Sequence, residues 1–494
     1  MKRIKKMKTN LWLIIFFLCL FSGRAQNGKV DKPNFIIIYT DDQGYNDLGC
    51  YGSEKIKTPN IDLMASEGLR LTNFYAQPVC GVSRAALMTG SYPIRVGEPN
   101  NIKMLHTVPD PQEVTMAEVL KSAGYATGLI GKWHLTGQGN SGPWSFDPAT
   151  MPNAQGFDYF YGTPLFNGTT VYVEDTPSRS SILRNNDIVL DKVESWDHIT
   201  KDYTWEAINY IKLNKDEPFF LYLAHNMPHI PLGASENFKG KSEYGPYGDA
   251  IEEIDWSTGE ILQTLKDLGI DDNTLVIFAS DNGPWVETTH SMIPGGKTFI
   301  PRDHSGSADP LKGWKMSAWD GGSRVPFIAR WPGALKENRV SDEILTTMDL
   351  LPTIANLAGA EMPKDITVDG YDASAFLLGK EEVSPREDYL YYSGCLLTGV
   401  RVNEWKLVLP RSAKPDGLGW WGRLIEEVKT NQLYNLDKDP GETMNLADQN
   451  PDVVARLKKR IELARKELGD IDVTGEGARF FYDGPRRLQA NLKK

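Results

Sequence analysis

Phe35-Ile36-Ile37-Ile38-Tyr39, followed by Thr40-Asp41-Asp42-Gln43-Gly44, is a continuous apolar, β-branched run that stops abruptly at two carboxylates. It reads as a strand buried on both faces, the kind that occupies the middle of a parallel sheet. Ala126 to Ile130, Phe219 to Ala224 and Thr274 to Ala279 have the same character, and each ends in a polar cluster. Between them lie helical patterns: Pro59 to Glu67 behind the cap candidate Thr58, Met116 to Ala123 behind Thr115, and Gly248 to Leu268. Strands alternating with helices predict an α/β fold, a largely parallel doubly wound sheet with helices on both faces.

From Tyr389 the texture changes. Leu390 to Tyr392, Gly399 to Val402 and Trp405 to Leu409 read as short antiparallel strands, Val453 to Leu468 as an amphipathic helix, and Ser412 to Trp421 as a loop. The expected division is a leader over 1–25, a large α/β domain over 26–385 and a smaller C-terminal α+β unit over 386–494. About 470 residues after the leader exceed what one core usually holds.

The polar residues with chemical potential follow the four strand ends: Asp41 and Asp42, Lys132 and His134, His225 and His229, Asp281 and Asn282. Open α/β sheets bind ligands at the carboxyl ends of their strands, so these clusters can meet. Taken singly, each has a plainer explanation. Asp41-Asp42 fits an acidic loop, Asp281-Asn282-Gly283 a turn, Lys132 and His134 a surface pair, and Lys315 a solvated lysine. His225 and His229 are four apart, but Pro228 and Pro231 preclude a regular helix, and hydrogen-bonded loop histidines are the simpler account, more so for His225. Taken together, the carboxylates and the Asn282 amide form an all-oxygen, multiply negative set suited to a hard divalent cation. Calcium fits best, and no cluster with zinc spacing is present.

The 494 residues carry 54 Lys and Arg against 65 Asp and Glu, a formal charge of −11. The chain opens with Lys2, Arg3, Lys5, Lys6 and Lys8, runs through apolar Leu11 to Phe21, and reaches Gly23-Arg24-Ala25, the pattern of a secretory signal peptide cut after Ala25. A bilayer span takes roughly 20 apolar residues, which neither this segment nor any later run supplies. Leu18 before Cys19 argues against a lipoprotein cut. An exported protein, periplasmic or secreted and without a membrane span, is expected. Cleavage removes six basic and no acidic side chains, taking the charge to −17, which argues against a nucleic-acid partner. An anionic small ligand is still compatible where a metal and a few cations converge. Cys50, Cys80 and Cys395 would remain, so the protein is not disulfide-built; at most Cys50 could bridge Cys395.

Cys80-Gly81-Val82-Ser83-Arg84 leads into Ala85-Ala86-Leu87-Met88-Thr89-Gly90, a cysteine just ahead of a helix start whose dipole favours an anion. This motif occurs with Asp41-Asp42-Gln43-Gly44, Gly131-Lys132-Trp133-His134-Leu135, His229 before Pro231, Ser280-Asp281-Asn282-Gly283, Lys315 ahead of Gly321-Gly322 and Arg324-Val325-Pro326, and Leu433-Tyr434-Asn435-Leu436 with Asp439-Pro440-Gly441-Glu442. In kind and order the series resembles the type I, formylglycine-dependent sulfatases of the alkaline phosphatase-like superfamily, and among them carbohydrate sulfatases of the arylsulfatase and N-acetylgalactosamine-6-sulfatase kind. It departs from the usual pattern at Val82, Ala85, Trp314 and Asp320.

The resemblance implies that a maturation enzyme converts Cys80 to formylglycine, whose hydrate is the nucleophile. It implies one calcium ion held by Asp41, Asp42, Asp281, Asn282 and the modified Cys80. Arg84 would steady the hydrate, Lys132 and Lys315 grip sulfate oxygens, His134 serve as the base and His229 assist the leaving group. Export and aromatic loop residues (Trp144, Trp285, Trp420, Trp421) make a sulfated carbohydrate the expected substrate. His225, and the segment from Pro284 to Leu311 with His290, Lys297, Arg302 and His304, are expected to contribute to substrate binding. Two alternatives stay open: a phosphoester or phosphonate hydrolase on the same scaffold, and a sulfated-glycan binder with an unmatured Cys80.

Overall fold

The computed structural model describes residues 32–97, 109–137, 146–167, 180–190, 192–286, 302–415, 418, 422 and 425–479; the expected leader lies outside them. Asn34–Thr40 forms β1, and all of its residues are buried. Phe35, Ile37 and Tyr39 join one apolar cluster while Ile36 and Ile38 join another on the opposite face, which is why the run shows no polar alternation.

The large sheet comprises β1, β2 (Leu69–Tyr75), β3 (Ala126–Gly131), β4 (Tyr159–Gly162), β5 (Ile182–Arg184), β6 (Asp187–Leu190), β7 (Phe219–Ala224), β8 (Thr274–Ser280), β9 (Arg324–Arg330) and β10 (Arg339–Thr346). Their order is β10-β2-β9-β8-β1-β7-β3-β4-β5-β6. The four strands expected from sequence stand side by side and parallel at its centre, so their carboxyl ends share one edge. β9 is antiparallel to both neighbours, and β5 to both of its own. Pro326 hides β9 from a sequence reading, because proline cannot donate to a ladder. It falls where β2 breaks register between Leu71 and Phe74, and beyond the last register pair with β8, so no bond is lost.

The longer helices are α1 (Pro59–Ser66), α2 (Cys80–Thr89), α3 (Met116–Ser122), α4 (Ile199–Asn214), α5 (Pro246–Leu268), α6 (Leu350–Ala358) and α7 (Pro451–Glu467). Leu87 of α2, Leu120 of α3 and Ile354 of α6 enter one face cluster, and Met64 of α1, Ala207 of α4 and Ile254 of α5 the other. The sheet is therefore doubly wound. Among the described residues no helix is long and apolar enough to cross a membrane.

A second sheet, antiparallel throughout, has the order β11 (Asp388–Ser393), β12 (Leu396–Val402), β13 (Trp405–Val408), β14 (Gln432–Asn435). Leu390, Val400 and Leu433 of this sheet and Ile461 of α7 belong to the same apolar cluster as one face of the large sheet, so the two sheets share a core. Cys50 and Cys395 are not joined by a disulfide.

Thr115 caps α3 as expected, in a reciprocal box with Glu118. Thr58 does not cap α1. Its hydroxyl donates to Asp62 Oδ1 at 3.0 Å, and the cap comes from α5, where Asp255 Oδ1 accepts the Asn60 and Ile61 N–H groups at 3.0 and 2.8 Å. Asp255→Ala is therefore expected to lower stability by about 2 kcal/mol in denaturant unfolding, since one buried and one part-buried donor lose their acceptor, while Thr58→Ala costs less.

Candidate active site

β1 and β8 are parallel neighbours with Thr40 opposite Ser280, so Asp41-Asp42 and Asp281-Asn282 leave the sheet together. The Asp42 N–H donates to Asp281 Oδ1 at 3.2 Å, and Asn282 Nδ2 to Asp42 Oδ1 at 2.7 Å. Asp42 sits at φ 65°, a left-handed conformation that Asp tolerates better than most residues. Asp41 Oδ1, Asp42 Oδ2 and Asn282 Oδ1 are buried with no hydrogen-bond partner. Ligand atoms of Asp41, Cys80 and Asp281 lie within 4.8 Å of one another, as do those of Asp41, Asp42 and His229. Each orphaned buried acceptor costs about 1–3 kcal/mol unless something fills it. Hard oxygen donors left open in this way fit a calcium-like cation.

Three cations answer the carboxylates. Arg84, on α2, places Nε and Nη2 3.0 and 2.7 Å from Asp281 Oδ2, and its Nη1 donates to the Lys132 carbonyl at 2.7 Å. Lys132, at the exit of β3, meets Asp41 Oδ2 at 2.5 Å. Lys315 meets Asp42 Oδ1 at 2.6 Å and lies 4.0 Å from Cys80 Sγ. Burial alone would raise the Asp41 carboxyl, but Lys132 and then His229 hold it well below the usual range. Asp281 is pushed up to about 7 by burial and by Asp41, against Arg84. The three carboxylates are matched by three cations, and the unpartnered Asp41, Asp42 and Asn282 oxygens are what a metal ion would fill.

Cys80 is the first residue of α2 and 3% exposed. Burial pushes its thiol up, against Lys132 and Lys315, so an unmodified thiol is a poor nucleophile there. His134 sits at φ 59° with its ring 5.3 Å from that of Phe166, and its Nδ1 has no partner. Burial, reinforced by Lys132 and Arg84, holds its pKa well below the ordinary histidine value. His229 places Nδ1 2.5 Å from the Ile230 carbonyl and Nε2 3.6 Å from Asp42 Oδ2. Burial lowers it to about 4, against Asp42 and Asp41, so both histidines are neutral near pH 7 and His229 and Asp42 form no ion pair there.

Trp285 is not an exposed platform. It is 7% exposed, with Lys315 Nζ 4.6 Å from its ring centre and the His229 ring edge-on at 5.7 Å, and it forms a wall of the site. His225 is fully buried with neither ring nitrogen partnered, and its N–H donates to the Tyr39 carbonyl at 2.8 Å. His290, Lys297, Trp144, Trp420 and Trp421 lie outside the described residues, as does the Arg302 side chain; His304 pairs with Asp303 at 2.9 Å. Sequence reasoning passed over Tyr39 and Tyr222, which looked like core. Tyr222 OH accepts from Arg84 Nη1 at 3.4 Å, and the Arg84 guanidinium lies 5.6 Å from the Tyr39 ring centre. The only signal was a hydroxyl-bearing ring in each apolar run near its polar end.

Residues 33–360 match the family described as Sulfatase, and residues 314–467 the one described as N-sulphoglucosamine sulphohydrolase, C-terminal. The chain is 35% identical to human steryl-sulfatase over 469 residues, covering 81% of this chain and 78% of that one. It is 34% identical to an N-acetylgalactosamine-6-O-sulfatase of Bacteroides thetaiotaomicron over 500 residues, covering 90% and 95%. The crystal structure of the PsFucS1 sulfatase from Pseudoalteromonas sp. superposes with a TM-score of 0.73 at 28% identity, covering 87% of this chain and 89% of that one.

Proposed function

We propose, for a chain that belongs to the sulfatase family and hydrolyses sulfuric esters, that it is an exported enzyme removing sulfate from a carbohydrate, with formylglycine made from Cys80 and one calcium ion. The basic-then-apolar opening segment supports export, and the Bacteroides relative named for a sulfated amino sugar supports the substrate class. The observation that carries the assignment is the convergence, at one sheet edge, of the orphaned Asp41, Asp42 and Asn282 oxygens with Cys80, Lys132 and Lys315.

Asp41, Asp42, Asp281 and Asn282, with position 80, would hold the calcium. The metal supplies fixed positive charge and the matured side chain an oxygen nucleophile. Lys132 and Lys315 bind the sulfate oxygens, released in part from their carboxylates once those face a cation. Arg84 touches both Asp281 and the Lys132 backbone, and so orients two groups at once. His134, neutral near pH 7, can accept a proton at a ring nitrogen. The His229 N–H at Nδ1 is spent on the Ile230 carbonyl, leaving Nε2 to carry a proton toward the departing alcohol oxygen; an anionic sulfate beside it raises its proton affinity. Trp285 excludes water beside Lys315.

Cys80 and Val82 are 3% and 5% exposed, so a maturation enzyme has to reach the motif before it folds. Mass spectrometry of the peptide spanning Cys80, with release of sulfate from sulfated N-acetylgalactosamine, tests the assignment. A wholly unmodified thiol in protein from the native host, or faster turnover of an aryl phosphate than of an aryl sulfate, would sink it. Chelation of calcium is expected to stop turnover and to lower stability by about 3 kcal/mol at ion concentrations around a hundredfold above Kd, with recovery on adding calcium and not sodium.

A further inference from the structure

The loop that carries Lys315 is closed at its base, where the Gly321 N–H donates to the Lys312 carbonyl at 2.8 Å. Three backbone bonds splice it to the candidate site: Lys315 N–H to the Pro284 carbonyl at 3.0 Å, Met316 N–H to the Pro78 carbonyl at 2.7 Å, and Gly283 N–H to the Gly322 carbonyl at 3.0 Å. The approach is close enough that a Cβ on Gly283 would lie 1.7 Å from the Gly321 carbonyl oxygen. Met316 holds φ 71°, a left-handed conformation that a side-chain-bearing residue keeps only where its surroundings over-determine it.

The base of this loop is held from the other sheet. The Asp320 N–H donates to Glu442 Oε2 at 2.9 Å, and Asp320 Oδ1 accepts from Tyr391 OH at 2.5 Å and Lys406 Nζ at 3.3 Å. Lys406 Nζ also pairs with Glu442 Oε1 at 2.7 Å, and the side chains of Asp320, Lys406 and Glu442 are all 0% exposed. Lys406 lies on β13 and Tyr391 on β11, while Glu442, in the turn after β14, sits at φ 51°. Two buried carboxylates sharing an ammonium are an inefficient way to gain stability, since desolvation offsets the attraction. Asp320 Oδ2 also meets Arg324 Nη1 at 3.4 Å and Tyr75 OH at 3.0 Å. It is therefore Glu442 that depends on Lys406, and displacing either of those two leaves the buried charge of Glu442 unpaired.

We propose that Asp320, Lys406 and Glu442 are positioning residues through which the C-terminal sheet sets the Lys315 ammonium against Asp42 and position 80. The proposal rests on the sulfate-binding role assigned to Lys315 above. It makes sulfate binding depend on the turn after β14, which carries no proposed ligand of its own.

The test is a double-mutant cycle with two readouts, calorimetric binding of inorganic sulfate to the full chain and kcat/KM on an aryl sulfate. Glu442→Ala removes both contacts, whereas Glu442→Gln keeps an acceptor for the Asp320 N–H and discards the charge. In the parent, Glu442→Ala is expected to weaken both readouts by about tenfold to a hundredfold and Glu442→Gln by about threefold. In a Lys315→Ala background both effects shrink to within about twofold, because no ammonium is left to misplace. Equal losses in the two backgrounds, or no loss in the parent, overturn the proposal. If Glu442→Ala does not fold, Glu442→Gln carries the same cycle. A parent that neither binds sulfate nor releases it overturns the role of Lys315 itself, and the proposal with it.

Discussion

Cys80→Ala is expected to lower sulfate release by on the order of a million-fold, the scale seen when an enzyme loses its covalent nucleophile. The substitution is mild for the fold. Cys80 is 3% exposed and packs within the main apolar cluster, so trimming one sulfur costs about 1 kcal/mol. Activity and stability therefore separate: turnover vanishes while the melting transition moves only a few degrees. Cys80→Ser, which supplies a single hydroxyl but no aldehyde hydrate, should recover little unless a maturation enzyme oxidises it. A Cys80→Ala protein that keeps more than about a hundredth of parental activity would show that position 80 is not the nucleophile.

Arg84→Ala is the substitution expected to damage both fold and function. Arg84 and Asp281 form an ion pair at 2.7 Å with 0% exposure on both sides, and Asp41 and Asp42 are the neighbouring carboxylates. Removing one partner of a fully buried pair leaves the other uncompensated, at a cost of about 3–5 kcal/mol. The loss also depends on pH. Without a metal ion the Asp281 carboxyl stands at about 7 in the fold against 3.8 in a free side chain, so the native state binds a proton that the unfolded chain does not. The contribution of Asp281 to the stability of the calcium-free protein accordingly falls as pH rises from about 4 to about 7. The buried His229, lowered to about 4, acts in the opposite sense and is common to parent and variant. Taking Arg84 away raises that pKa further, so the variant's deficit should be larger near pH 8 than near pH 5, as read by thermal melting in chelator. An equal deficit at the two pH values would show that Asp281 is not the group left stranded.

Much of the architecture was legible because its periodicities are strong. Four both-face-buried runs became the four parallel central strands, and their polar exits became one shared edge. What escaped had a physical reason in each case. β9 contains a proline whose cost disappears only because β2 breaks register opposite it. The cap of α1 comes from Asp255, on a helix almost 200 positions away, so the nearby Thr58 was the natural misreading. Tyr39 and Tyr222 had the composition of core, and only the arrival of Arg84 made their oxygens and rings relevant.

By itself the sequence determined the chemical inventory and its order: a cysteine at a helix start with an arginine one turn on, then hard oxygen donors, a lysine and histidines past strand ends, and a second lysine in a loop. Residue identity and local spacing are enough for that, since strand ends and helix starts are local events. Only the tertiary structure decided the electrostatics. Which cation neutralises which carboxylate, why three oxygens remain unpartnered, why His134 and His229 are neutral, and how Glu442 reaches the loop of Lys315 all depend on burial and on distances of about 3 Å between residues far apart in the chain. Charge interactions become strong and selective only where water is excluded, and that exclusion belongs to the folded whole.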